Sequence, residues 1–236
     1  MSTIHMVFQQ SSSEDKISNA LLGWALSQHL RVSTDARPQV LDAGRHTNPL
    51  SSCPSLQAVR FHVVANTGEV DPKAVESLLA KAIGTLDSVD VVVLCDTESM
   101  IQLASYLRLL SLKTVLPVYG KKIVVHIALQ DLMLEKMDLN ALMSVLSLGE
   151  EGEGRIYSIG RGNTASMKAI YPQLPLFSIP APAYPHETEL LERALREGIS
   201  VGDSQGYKHL ADSEKVQLER FYRAATTNFD KMSPGP

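Results

Sequence analysis

The chain has 236 residues, 44% of them hydrophobic, with 22 basic and 26 acidic side chains and a formal net charge of -4. That is enough apolar material for one core with an appendage, and the charge balance lacks the strong positive field of a general nucleic-acid binder, so nucleic acid is a possible partner that the charge does not favour. No apolar run approaches a membrane span, and MSTIHMVFQQSSSED lacks the basic segment and apolar core of a secretory leader, so the expected location is cytoplasmic or otherwise intracellular, with no membrane partner.

Ile4 to Phe8 reads as a first strand. Ser11 with Glu14, or Ser12 with Asp15, then offers a capping box for a helix over about 14–30, whose Ile17, Leu21, Trp24 and Ala25 share a face. Trp24 is expected as a core anchor. Residues 31–58 hold Pro38, Pro49 and Pro54 and little periodicity, so they read as a long loop with a short strand at Gln39 to Leu41. Val59 to Ala65 reads as a strand. Asp71-Pro72 starts a helix, with the aspartate as cap and the proline at the first helical position. Ala74, Val75, Leu78, Leu79 and Ala82 form its apolar face.

The segment SVDVVVLCDTESMIQLASYLRLL, residues 88–110, organises the rest. Val89 to Cys95 is apolar except for Asp90, the pattern of a strand buried on both faces of a parallel sheet. Its acidic tip, Asp96-Thr97-Glu98-Ser99, precedes an apolar helix from Met100. The carboxyl end of such a strand is where open α/β sheets place ligands. Two readings of the tip follow. Asp96 or Thr97 caps the helix while Glu98 favours its first turn. Alternatively, Asp96 and Glu98 are catalytic carboxylates, with Asp96 holding Mg²⁺ or Mn²⁺ that activates a water. A complete metal site needs further carboxylates, and Asp42, Glu69, Asp71 and Asp131 are available in the sequence.

The stretch Val89 to Val118, with an apolar strand, the tip CDTES, a helix and then KTVLPV as a further strand, resembles part of the PIN/NYN ribonuclease-like fold. The resemblance implies a metal-dependent nuclease with Asp96, and Glu98 beside it, at the family's acidic position. The first strand, TIHMVFQQSSS, ends without the aspartate that the family places there.

Ile123 to Leu129 reads as another buried strand, in which His126 is expected to be a satisfied core histidine. Residues 131–148 are helical in pattern, with Asp138 capping their second part. Arg155 to Ile159 is a short strand. The turn after it, GRGNTASMK, offers Gly160 and Gly162 for close backbone approach and Arg161, Thr164 and Lys168 as donors to a phosphate or other anion. Its glycine spacing matches neither the Walker A loop nor the dinucleotide fingerprint. Five prolines stiffen Tyr171 to Pro185, with a peripheral strand at Leu176 to Ile179. Helices follow over His186 to Arg196 and from Asp212-Ser213 onward. Cys53 and Cys95 fall in no metal-binding spacing and read as small apolar fillers.

These elements predict a three-layer α/β fold: a mostly parallel sheet of five or six strands with helices on both faces. Residues 1–170 would form the core domain, with residues 171–236 a proline-rich arm and two helices packed on it. The apolar surplus of residues 100–110 and 139–148 points to a protein partner or a homo-oligomer. The leading expectation is therefore a non-enzymatic interaction or assembly protein without a cofactor. The alternatives are the metal-dependent nuclease or phosphoesterase at Asp96, and nucleotide or anion binding through Gly160 to Lys168.

Overall fold

Seven strands form one all-parallel sheet: β1 Ser2–Gln9, β2 Gln39–Asp42, β3 Val59–Arg60, β4 Val91–Asp96, β5 Lys121–Gln130, β6 Arg155–Gly160 and β7 Leu176–Pro180. Their order across the sheet is β3-β2-β4-β1-β5-β6-β7. The structure, a computed structural model, describes residues 2–9, 18–34, 36–45, 49–54, 56–65, 67–130, 138–149, 153–160, 172, 176–180, 182, 184–197, 199, 206–227 and 229. Among these lie seven α-helices: α1 Ser18–Thr34, α2 Pro72–Ile83, α3 Met100–Leu109, α4 Leu112–Val115, α5 Leu139–Leu146, α6 Pro185–Glu197 and α7 Asp212–Thr226. The strand total exceeds the expected five or six because β3 and β7 extend the sheet at its two edges.

The valine-rich segment is an interior strand. All six residues of β4 are buried, and β4 lies between β1 and β2, with Ile4 opposite Val91 and Val40 opposite Val92. Successive side chains point to opposite faces. Val91, Val93 and Cys95 join one apolar cluster with α2, α3 and α5, whereas Val92 and Leu94 join a second with α1, α6, α7 and Leu50. Burying one such side chain contributes about 1.5–3 kcal/mol, which explains why the run tolerates no alternation.

The two clusters are the outer faces of three layers. β1 leads through α1 to β2, and β3, β4 and β5 lead back across the sheet, so right-handed crossovers put α1 on one face and α2, α3 and α5 on the other. α7 packs against both α1 and β7, α6 packs on α7 and on the Pro49–Ser52 turn, and Leu21, Leu22, Trp24, Ala25 and Leu26 are all buried. This helix passes so close to the sheet that a Cβ at Gly23 would lie 2.8 Å from Leu50 and Leu94.

Several boundaries differ from the sequence expectation. Residues Thr114 to Val118 are not a strand. They belong to α4 and to a 3-10 turn, Leu116–Tyr119, which ends at Gly120 with φ 66. The buried residues there are Leu112 and Leu116, four apart as on a helix, and Pro117 has no N–H to give a sheet. The last part of the PIN/NYN-like pattern, KTVLPV, therefore has no strand to match. The expected strand over Val59 to Ala65 shrinks to the two residues of β3, followed by a single antiparallel bridge between Val64 and Val70. Ala211 rather than Asp212 precedes the first turn of α7, and its N–H is taken by Glu214 at 2.8 Å. The Asp71 and Asp138 caps are present, accepting from Lys73 and Asn140. The capping boxes proposed at Ser11 and Ser12 and the helical pattern over 131–137 lie outside the described residues.

Among the described residues, no helix is long and apolar enough to cross a membrane.

Candidate functional site

The carboxyl ends of β1, β4 and β5 form a topological switch point, because β1 continues on one face of the sheet and β4 and β5 on the other. Gln9 ends β1 opposite Asp96, which ends β4, and Asp42 ends β2 on the far side of β4. Alternation along the strands turns all three side chains toward the α1 face. Each is buried, Asp96 being 1% exposed.

Hydrogen bonds explain how two carboxylates remain there. Asp96 accepts the N–H of Arg45. Asp42 accepts the N–H of Gly44 at 3.0 Å and the hydroxyl of Ser51, and pairs with the Arg60 guanidinium at 3.3 Å. Arg60 also donates to the Arg45 carbonyl at 3.4 Å. The two acids thus hold Gly44, Arg45, Ser51 and Arg60 at the end of the sheet. A buried carboxylate without such partners would cost several kcal/mol.

Asp96 makes no cap hydrogen bond to the turn Thr97–Ser99 that follows, so the capping role expected of it does not hold. Ser99 instead donates to the Asp96 carbonyl at 3.3 Å. Glu98 is exposed, so it does not share the buried position of Asp96. Of the further carboxylates considered for a metal, only Asp42 stands near Asp96. Asp71 caps α2, Glu69 is exposed beside Thr67, and Asp131 lies outside the described residues. Among the described residues, no group of three or more His, Cys, Asp or Glu side chains is arranged to hold a metal ion.

Among the described residues, the Gln9 amide nitrogen and the Thr97 hydroxyl are buried at this end without a hydrogen-bond partner. The Gln9 oxygen accepts from the Gly23 N–H at 3.3 Å. Burial, and then the charges of Asp96 and Asp42, push the Cys95 thiol well above its usual range, which fits an inert core residue.

The second constellation identified in the sequence, Gly160, Arg161, Gly162, Thr164 and Lys168, is described only at Gly160. That residue closes β6 opposite Pro180, and the other four lie outside the described residues.

A polar chain not anticipated from the sequence crosses the middle of the sheet. His5 on β1, His126 on β5 and Tyr157 on β6 are buried side by side, with His5 Nδ1 and His126 Nε2 3.0 Å apart and His126 Nδ1 3.2 Å from the Tyr157 hydroxyl. His126 is thus a core histidine with partners on both sides. One neutral arrangement serves every member: the tyrosine hydroxyl donates to His126 Nδ1, and His126 Nε2–H donates to His5 Nδ1. Burial lowers His5 to about 4 against the opposing pull of Asp90, and burial with the charges of His5 and Arg155 lowers His126 well below its usual value. Only the parallel register brings these rings together, so their sequence signal is weak.

A pH dependence follows. Each folded-state pKa is below the unfolded value of about 6.5, so the unfolded chain takes up protons first as pH falls. The stability of the neutral pair is complete above about pH 6.5 and is lost toward pH 4. Between pH 7 and pH 5 the loss from His5 is about 2 kcal/mol, and His126 acts in the same direction. Urea unfolding at the two pH values is expected to show it, and His5→Asn with His126→Gln should flatten the difference. An equal pH response in wild type and the double variant would remove this assignment.

Comparison with protein-family models and with curated proteins yields no match.

Proposed function

We propose that this chain is a non-enzymatic interaction or assembly protein that associates through its α3–α4 side. The observation that carries this reading is the exposure of large apolar side chains there: Leu109 is 81% exposed and Val118 80%. Ile101 on α3, Val115 on α4, Tyr119 after it and Met143 on α5 are exposed as well. Arg108 of α3 bonds to the Ser144 carbonyl and hydroxyl, which places Met143 beside that same helix. Most of the apolar surplus in α3 is used internally, since Met100, Leu103, Ala104 and Leu107 pack on the sheet. The remainder has no such use, and single-sided apolar surface of this kind favours a protein neighbour. The engagement of Asp42 and Asp96 by residues 43–60 supports the same reading, because it leaves those carboxylates committed to the chain's own backbone and side chains.

The test is light scattering over a concentration series. Wild type is expected to form a dimer or larger assembly, and Leu109→Glu with Val118→Glu is expected to stay monomeric with an unchanged circular dichroism spectrum. A wild-type monomer at every concentration would overturn the self-association reading.

One observation favours a second reading, a Mg²⁺- or Mn²⁺-dependent nuclease or phosphoesterase: Asp42 and Asp96 end neighbouring strands on one face. That reading requires phosphodiester cleavage in Mn²⁺ buffer that disappears in Asp96→Asn while the fold persists.

A further inference from the structure

At the opposite end of the sheet, a groove of about 550 Å³ opens between the carboxyl end of α2 and the amino ends of β2 and β3. Its floor is apolar and buried, formed by Pro38, Val40 and Leu56. Its rim carries the exposed side chains of Val59 and Leu86 and two cations, Arg37 and Lys81. Among the described residues, no carboxylate lines it. Arg37 and Lys81 take part in none of the chain's ion pairs among the described residues.

A helix carboxyl end ordinarily repels anions, because its last carbonyls face outward. Here two of the last four carbonyls are engaged, and a cation stands just beyond them. Gly84 N–H binds the Ala80 carbonyl, and the Thr85 hydroxyl binds that of Lys81 at 3.1 Å. The ammonium of Lys121, wholly buried at the start of β5, takes the Thr85 carbonyl at 2.7 Å and the Leu86 carbonyl at 3.3 Å. Gln39 accepts from the Thr85 hydroxyl through its amide oxygen, which leaves its N–H groups as donors. Asp87, next to Leu86 in the chain, lies outside the lining and faces Lys121 at 3.7 Å. The groove therefore combines an apolar floor, a cationic rim and a helix end whose dipole is answered from behind.

We propose that this groove docks an extended acidic segment of a partner protein, with an apolar side chain seated on Leu56 between carboxylates that meet Arg37 and Lys81. The argument is charge complementarity: a chain of net charge -4 gathers two cations, in no ion pair among the described residues, around an apolar floor. An open lining suits a peptide better than an enclosed small molecule. The inference rests on reading the chain as an interaction protein and names the partner chemistry of a second surface, remote from α3.

The probe is a fluorescein-labelled peptide alternating Glu and Leu, with a peptide alternating Lys and Leu as control. Fluorescence anisotropy is expected to show saturable binding of the acidic peptide alone, weakened by salt. Arg37→Glu with Lys81→Glu should weaken it by at least about tenfold, as removal of two ion pairs and reversal of their sign requires. Leu86→Asp should weaken it by a route that spares both cations. Absence of saturable binding, equal binding of the basic peptide, or indifference to all three substitutions would overturn the proposal. Light scattering of the double variant separates the two surfaces. Retained assembly with lost peptide binding isolates the groove. Loss of assembly in that variant would instead assign the groove to a second copy and defeat the peptide. A wild type that binds the peptide yet never self-associates would leave the groove standing and remove the α3 surface.

Discussion

Trp24→Ala is expected to lower the free energy of unfolding by about 3–5 kcal/mol. Trp24 is 1% exposed and belongs to α1, which packs on the sheet, on the Pro49–Ser52 turn and against α7. Truncation there removes the largest fully buried side chain from a region that cannot collapse inward, because Gly23 already brings α1 into contact with Leu94 and Leu50. The transfer loss and the residual cavity therefore add. Trp24→Phe separates packing from polarity. Among the described residues the indole N–H has no hydrogen-bond partner, so phenylalanine gives up some volume but also an unsatisfied donor, and its cost should be well below that of alanine. Chemical unfolding followed by far-ultraviolet circular dichroism is the measurement, since the chain has a single tryptophan and its fluorescence leaves with it. Equal losses for the two substitutions would show that packing around the ring is not what holds α1.

Asp42→Ala is expected to cost about 3 kcal/mol, in the range for removing one partner of a buried charge pair. The substitution strands the Gly44 N–H and the Ser51 hydroxyl and frees the Arg60 guanidinium, which is itself partly exposed. Its effect is local as well as global. Residues 43–60 lose one of the two carboxylates that clasp them, so amide exchange over that stretch should accelerate more than in α2. Asp42→Asn keeps an acceptor for Gly44 and Ser51 and should fall between wild type and alanine. Asp96→Ala serves as the parallel case on β4, losing the Arg45 contact. Unfolding free energies for Asp42→Ala within about 0.5 kcal/mol of wild type, with unchanged exchange, would show the clasp to be incidental.

The layered architecture was readable because β4 and β5 are largely apolar runs, the latter interrupted by His126, and a run buried on both faces has few alternatives to a parallel sheet. The Asp71-Pro72 start of α2 was equally plain, since cap and proline act within one turn. Thr114 to Val118 misled because KTVLPV has strand composition, while the positions it buries, Leu112 and Leu116, follow a helical spacing dictated by packing. Residues 43–60 hid their role for a different reason. Asp42 looks like any turn aspartate until Arg60 and Ser51 are brought to it by folding. The same holds for His5, His126 and Tyr157, which are far apart in the chain and adjacent only across three strands. Asp96 was singled out correctly as the end of the central strand, but its neighbour Arg45 comes from a segment whose course carries no periodic signal.

The position of β4 between β1 and β2 also bears on how the chain can be made. The two earliest strands flank a gap that only residues 91–96 can fill, so a nascent chain released to its third strand holds a slot the width of one strand and no stable hearth of its own. Assembly of the centre has to wait for a late arrival, which is slow by nature and leaves sticky edges bare in the interval. Any split of this chain upstream of residue 91 would part the slot from its filler.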